Sequence, residues 1–338
     1  MPSLTSNEKV TRFTRFAWLT VGYNLLVVMW GAFVRATGSG AGCGSHWPLC
    51  NGEVVPRQPT METLIELSHR LTSGLDGFVV LALVVFAFRV FPKGHRVRWA
   101  AVASLVFLLG EVLVGAGLVR FELVADNDSV ERAVVMAFHL VNTFLLLAAL
   151  TLTALWAGGE RAPRLRKQSD VLGLLGLALM ALLLLGASGA VTALGDTLYP
   201  LQGSALQDAL GRSGETGAPG DLSTTLHFLV RLRIFHPLIA VVVGAFLLLV
   251  AALVARLRPS DKVQRGATVL AGLFLLQMVC GLLNVTFKAP VWLQLVHLLL
   301  ADLVWIVFVV LATCSLARGT PQRTWSGELL ALPADEAA

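Results

Sequence analysis

Four histidines, His69, His139, His236 and His297, each stand near the start of an apolar run long enough to cross a membrane as a helix. An imidazole inside such a run is costly, and its commonest high-value use is to hold a metal. The four form two matched sets. A register shift of 167 residues carries His69 onto His236, and one of 158 carries His139 onto His297. Two imidazoles on facing helices can take both axial positions of one haem iron. Two pairs therefore imply two haem irons, each clamped between two helices. A lone membrane histidine serves as readily as a packing hydrogen-bonder; four at equivalent repeat positions favour ligation.

Other chemistry-bearing residues cluster near these. Glu66 and His69 are three apart, so they share a helical face. If His69 addresses an iron, Glu66 points toward the same cavity and can hold or pass a proton there. Favourable charge at a helix N-terminus would also account for it. Arg70, Arg231 and Arg233 start the same two helices. They either pair with haem propionates or snorkel to the interface. Glu111 lies near mid-membrane, where it serves either a proton path or a helix-packing hydrogen bond. Gly115, Gly117 and Gly281 leave room for close helix contact or a flat ring. His46, His95 and His227 lie in or beside loops and read as solvated, with His227 the fallback ligand should His236 not be one.

The elements that must position these groups follow from composition. The chain is 56% hydrophobic and 14% charged, against about 25% charged in a soluble domain. Eight apolar stretches, about 16–35, 65–88, 99–119, 134–156, 170–194, 232–255, 266–287 and 291–314, have the length that spans hydrocarbon. Lys and Arg crowd the N-terminus, every second loop (as at Arg89, Lys93, Arg96 and Arg98) and the end of the chain. By the positive-inside rule both termini are cytoplasmic, and loops 36–64 and 195–231 face outward. These clusters are topology signals and imply no nucleic-acid partner. The basic start, apolar run and Gly-Ala-Gly-Cys ending at Cys43 resemble a cleaved signal. The run is too long for one, and Gly40 stands where a lipoprotein signal has Leu, so the expectation is that it stays.

The repeat extends beyond the histidines. The 158 shift lays Gly31-Ala32 over Gly189-Ala190, the 167 shift Gly77 over Gly244, and a 166 shift Glu111 over Gln277 and Gly115 over Gly281. Arg233 falls on Glu66, so the halves have diverged. The expected fold is an all-α integral membrane protein. Eight helices form two pseudo-twofold four-helix bundles, residues 1–160 and 161–338, running the same way through the bilayer. The histidines then lie about four to six residues below the outer surface, roughly 6–9 Å.

Cys43 and Cys50 flank a short outer-loop segment, where an oxidising compartment favours a disulfide, either a structural staple or a redox-active pair. Cys280 and Cys314 lie in apolar helices and read as buried thiols.

At this point the sequence resembles the haem A synthase family over about residues 16–315. The resemblance rests on Gly31-Ala32-Phe33-Val34-Arg35-Ala36-Thr37-Gly38-Ser39-Gly40, on Cys43…Trp47-Pro48-Leu49-Cys50, on Glu66-x-x-His69-Arg70 and on His297-Leu298-Leu299-Leu300-Ala301-Asp302. It implies an oxidoreductase of the cell membrane that converts the C8 methyl of haem O to the formyl of haem A through a hydroxymethyl intermediate. It further implies that His69 and His139 hold the substrate haem O and that His236 and His297 hold a haem b cofactor. Glu66 matches the family's essential glutamate, and Cys43 and Cys50 its outer-loop pair. Haem O synthase upstream and the terminal oxidase downstream are the implied partners, beside the lipid bilayer. Two departures stand out. Residues 195–231 hold no second cysteine pair, and Pro237 follows His236 where Arg70 follows His69. The competing readings are a di-haem b-type cytochrome for electron transfer and, less compatible with histidines near one face, a transporter or assembly scaffold.

Overall fold

The structure is a computed structural model that describes residues 6–163, 168–200, 228–317, 319–323, 325 and 329–330. Among the described residues eight helices are long and apolar enough to cross a membrane: α1 (Ser6–Ala36), α2 (Met61–Val90), α3 (Arg96–Arg120), α4 (Val130–Ala157), α5 (Ser169–Leu198), α6 (Phe228–Leu257), α7 (Asp261–Thr286) and α8 (Val291–Leu316). In hydrocarbon a backbone must satisfy its own hydrogen bonds, so apolar runs of this length become helices. Large apolar side chains such as Leu19, Phe78, Val242 and Leu282 face outward and are exposed. In water so much exposed apolar surface would be a liability; against lipid it is the expected covering. The chain is a multi-pass membrane protein.

The helices outrun the apolar stretches at most ends, because hydropathy marks only the hydrocarbon depth. Side-chain caps set the true starts. Thr60 accepts from the Thr63 amide at 3.2 Å, Ser129 from Arg132 at 3.2 Å and Ser260 from Val263 at 3.4 Å, each cap worth about 1 kcal/mol. The histidines sit six to nine residues into their helices, about 9–14 Å from the helix starts. Pro237 lies inside α6 without ending it. Two two-residue strands, Gln322–Arg323 and Leu329–Leu330, pair after α8, a small departure from an all-α fold.

Packing follows chain order. α1, α2, α3 and α4 pack as a ring, and α5, α6, α7 and α8 as a second. The rings meet along α4–α5, α4–α8 and α1–α8. At this seam Trp305 stacks on Phe144 with ring centres 5.0 Å apart and donates its indole N–H to the Phe144 carbonyl at 2.6 Å. The inner faces of both rings form one continuous apolar core.

Candidate functional site

Toward the end of the bundle that carries loop 37–60, the core opens into one cavity of about 1500 Å³ lined by both rings. This exceeds the ~300–1,000 Å³ of an ordinary small-molecule site. His69, His139, His236 and His297 all line it.

Three of the four rings lie against a glycine. A β-carbon at Gly31 would come within 3.0 Å of the His69 ring, one at Gly189 within 3.1 Å of His236, and one at Gly281 within 3.1 Å of His297. The repeated Gly31 and Gly189 thus do the same work: they let α1 and α5 approach the imidazoles of α2 and α6. Gly115, the repeat mate of Gly281, meets nothing within 4 Å and lines the cavity instead.

His236 and His297 face one another with ring centres 6.5 Å apart. A metal–nitrogen bond of about 2 Å on each side, with about 1 Å from each nitrogen to its ring centre, calls for roughly 6 Å. The ring spacing is close to that of two imidazoles on one iron. His69 and His139 line the same cavity from α2 and α4. The buried Nδ1 atoms of His69 and His297 have no hydrogen-bond partner. Imidazoles on a cavity wall match the donor set of an axially ligated haem.

The groups behind the ligands differ between the rings. Glu111 Oε2 comes within 2.9 Å of His139 Nδ1, a close approach that is not aligned as a hydrogen bond. Asn142 donates to Glu111 Oε1 at 2.6 Å and Thr143 to Oε2 at 3.1 Å, holding the carboxylate there. In the second ring Gln277 Nε2 lies 3.3 Å from His297 Nε2, and Ser188 Oγ lies 2.9 Å from His236 Nδ1. A carboxylate beside a ligand imidazole raises its basicity; an amide or hydroxyl does so far less. Glu111, which had no partner by sequence, therefore backs a candidate ligand.

Residues 14–309 match the family of cytochrome oxidase assembly proteins designated COX15-CtaA. The chain belongs to this family. It is 56% identical over 309 residues to proteins named "Protoheme IX farnesyltransferase" from two strains of Thermus thermophilus, an alignment covering 91% of this chain and 49% of theirs. The chain thus spans about half the length of these relatives. A "Heme A synthase" of Bacillus mycoides is 46% identical over 109 residues, 32% of this chain and 35% of that protein.

Within this family member the remaining candidate residues fall into place around the loop end. Cys43 and Cys50 form a disulfide. Glu66 is buried on the cavity wall, and both its oxygens are engaged. Oε2 accepts the Cys43 amide at 2.8 Å, and Oε1 accepts Arg70 Nη2 at 2.5 Å. Arg70 Nη1 donates onward to the His46 and Leu49 carbonyls at 2.7 and 2.8 Å. The Glu66–Arg70 pair therefore ties the disulfide loop down beside His69. Arg233 occupies the Glu66 position in the second ring. Its Nε lies 2.7 Å from Asp196 Oδ1, and its Nη2 donates to the Gly195 and Tyr199 carbonyls at 2.7 Å. The side chain of Arg231, His227 and residues 201–227 of the long loop lie outside the described residues. His46 is exposed as expected. His95 is not simply solvated: it caps α3 through Val97 and stacks on Phe91. Burial, then the neighbouring Arg96 and Arg98, holds its imidazole below the usual value. Cys280 and Cys314 are buried free thiols.

One contributor escaped the sequence reading as a site residue. Arg35 donates to the Ala193 carbonyl at 2.6 Å, to Thr197 Oγ1 at 2.5 Å and to Gln294 Oε1 at 3.0 Å, joining α1 to α5 and α8 across the seam. The signal was present. An arginine at the end of α1 opposite the basic N-terminus runs against the positive-inside pattern.

Proposed function

We propose that this chain is a haem A synthase, oxidising the C8 methyl of haem O to a formyl group through a hydroxymethyl intermediate. The observation that carries the reading is the set of four cavity-lining histidines in two rings, one pair at the spacing for a single iron. Family membership supports it. In this reading His69 and His139 hold the substrate haem O, and His236 and His297 hold a haem b. Bound haem supplies the redox chemistry for oxidising an unactivated methyl, which side chains lack.

The protein's own residues do the rest. The glycines at 31, 189 and 281 seat the ligand rings. Glu111 lies beside the His139 ring and raises its basicity. Glu66 is the proton-handling carboxylate, one helical turn before His69, and takes up a proton released as the methyl is oxidised. Arg70 and the Cys43–Cys50 loop orient Glu66 and cover the site from water. Arg233 and the arginines beside it supply positive charge for haem propionates. In topology, both termini are cytoplasmic, the halves 1–160 and 161–338 are pseudo-twofold mates, and the haem sites lie toward the outer face of the cell membrane. The Thermus relatives, about twice as long and named for farnesyl transfer, fit a partnership with the enzyme that makes haem O, with terminal oxidase assembly downstream.

The test is chromatography of haem extracted from cells that make haem O but not haem A, with and without this chain. A new haem A peak with its hydroxymethyl precursor is expected. Bound haem B with haem O untouched, in folded protein, would instead favour a di-haem b-type electron-transfer cytochrome.

A further inference from the structure

Two helical turns deeper than the first ligand lies a polar pair that ligation does not use. Asn24 on α1 and Asp76 on α2 are each 1% exposed, and both line the cavity. Asn24 Nδ2 donates to Asp76 Oδ1 at 2.9 Å and is steadied by the Thr20 carbonyl at 3.0 Å. Asp76 is seven residues past His69 and Asn24 seven before Gly31, the glycine that seats His69. Seven residues are close to two turns, so the pair lies on the same faces about 10 Å deeper. On α2 the Asp76 side chain leans back toward the helix N-terminus, and so toward His69.

The second ring provides an internal control. The 158 and 167 shifts that overlay the glycine–histidine contacts put Leu182 on Asn24 and Val243 on Asp76. Leu182 is buried and lines the same cavity, while Val243 packs against the apolar core and is not part of the lining. One ring therefore places apolar side chains where the other places an amide and a carboxyl. The matching helices α5 and α6 pack without such a pair, and ionisable groups at such depth are expensive unless they are used.

The two haems of the proposed reaction differ in the matching way. Haem B carries a vinyl group where haem O carries a hydroxyl-bearing carbon and its farnesyl chain. We infer that Asn24 and Asp76 read this hydroxyl. Asp76 accepts the hydroxyl hydrogen, and Asn24 fixes the orientation of the carboxyl. The pair selects haem O over haem B at the His69–His139 site, whereas the matching positions of the second ring, Leu182 and Val243, offer no hydrogen-bonding group. This inference rests on the haem O reading above.

The test is competitive binding of haem O and haem B to the purified full chain with its second site filled, followed by Soret absorbance. The wild type should prefer haem O. In Asn24→Leu/Asp76→Val, which copies the second ring, the preference should fall by about ten- to a hundredfold, the range for a hydrogen bond to a charged group. Haem B affinity should stay unchanged. Asp76→Asn keeps an acceptor and should keep most of the preference, and the low-spin spectrum of the filled second site reports folding in each variant. A double variant that still prefers haem O, or that weakens both haems equally, overturns the inference and leaves the synthase reading standing. A wild type with no preference for haem O overturns both.

Discussion

The two rings share one frame and differ in their polar fittings. In both, a glycine on the first helix lets an imidazole on the second come close to its backbone, Gly31 with His69 and Gly189 with His236. Behind the fourth-helix histidine, however, the first ring places Glu111 and the second Gln277. Where the first ring ties Glu66 to Arg70 and a disulfide loop, the second ties Arg233 to Asp196. The frame is a matter of space, which the matched glycines preserve. The fittings are a matter of charge, which one substitution changes. In the proposed reading, the ring whose haem only cycles electrons needs the frame, whereas the ring whose substrate loses hydrogen also needs charged groups beside it.

Four experiments break or sharpen this comparison. The largest effect is expected from His236→Ala, which should abolish the low-spin bis-imidazole spectrum of the second site and spare that of the first. An unchanged absorption spectrum would move the ligand elsewhere, with His227 next to be replaced. Glu66→Gln should keep both haems and reduce haem A output by at least about a hundredfold, the range for a lost general acid or base; normal output on haem chromatography would remove Glu66 from the chemistry. Glu111→Gln makes the first ring imitate the second. It should weaken haem held by His139 by about ten- to a hundredfold and raise its potential in a redox titration, while Gln277→Glu should lower the potential of the second site. If neither potential moves, the contrast behind the ligands is only packing. The smallest effect separates Gly281 from its mate. Gly281→Ala pushes a β-carbon into His297 and should cost about 1–3 kcal/mol in thermal unfolding of the haem-free protein. Gly115→Ala meets nothing and should stay within about 0.5 kcal/mol. Equal losses would show that these glycines serve the helices and not the ring.

Much of this was legible from spacing alone. Apolar runs bounded by basic loops specify membrane helices, because a bilayer tolerates no other backbone in that length of chain. The internal shifts singled out the four histidines and the Gly31 and Gly189 mates before any contact was known. Helix ends were less legible: hydropathy stops at the hydrocarbon boundary, while Thr60, Ser129 and Ser260 start their helices beyond it. Glu111 shows the other limit. Its alignment with Gln277 could be read, but its partner lay on the next helix, 28 residues away along the chain.

By itself the sequence determined that the chain is a helical membrane protein with imidazoles at matching register positions, since periodicity, hydropathy and charge bias are local properties. Tertiary structure alone decided which groups meet. Helix rotation sets Glu111 beside His139, turns Glu66 to the disulfide loop as well as the cavity wall, and joins Arg35 to α5 and α8. Those contacts depend on the angles at which apolar helices pack, and packing angles come from the fit of side chains across many helices and not from the order of residues in any one of them.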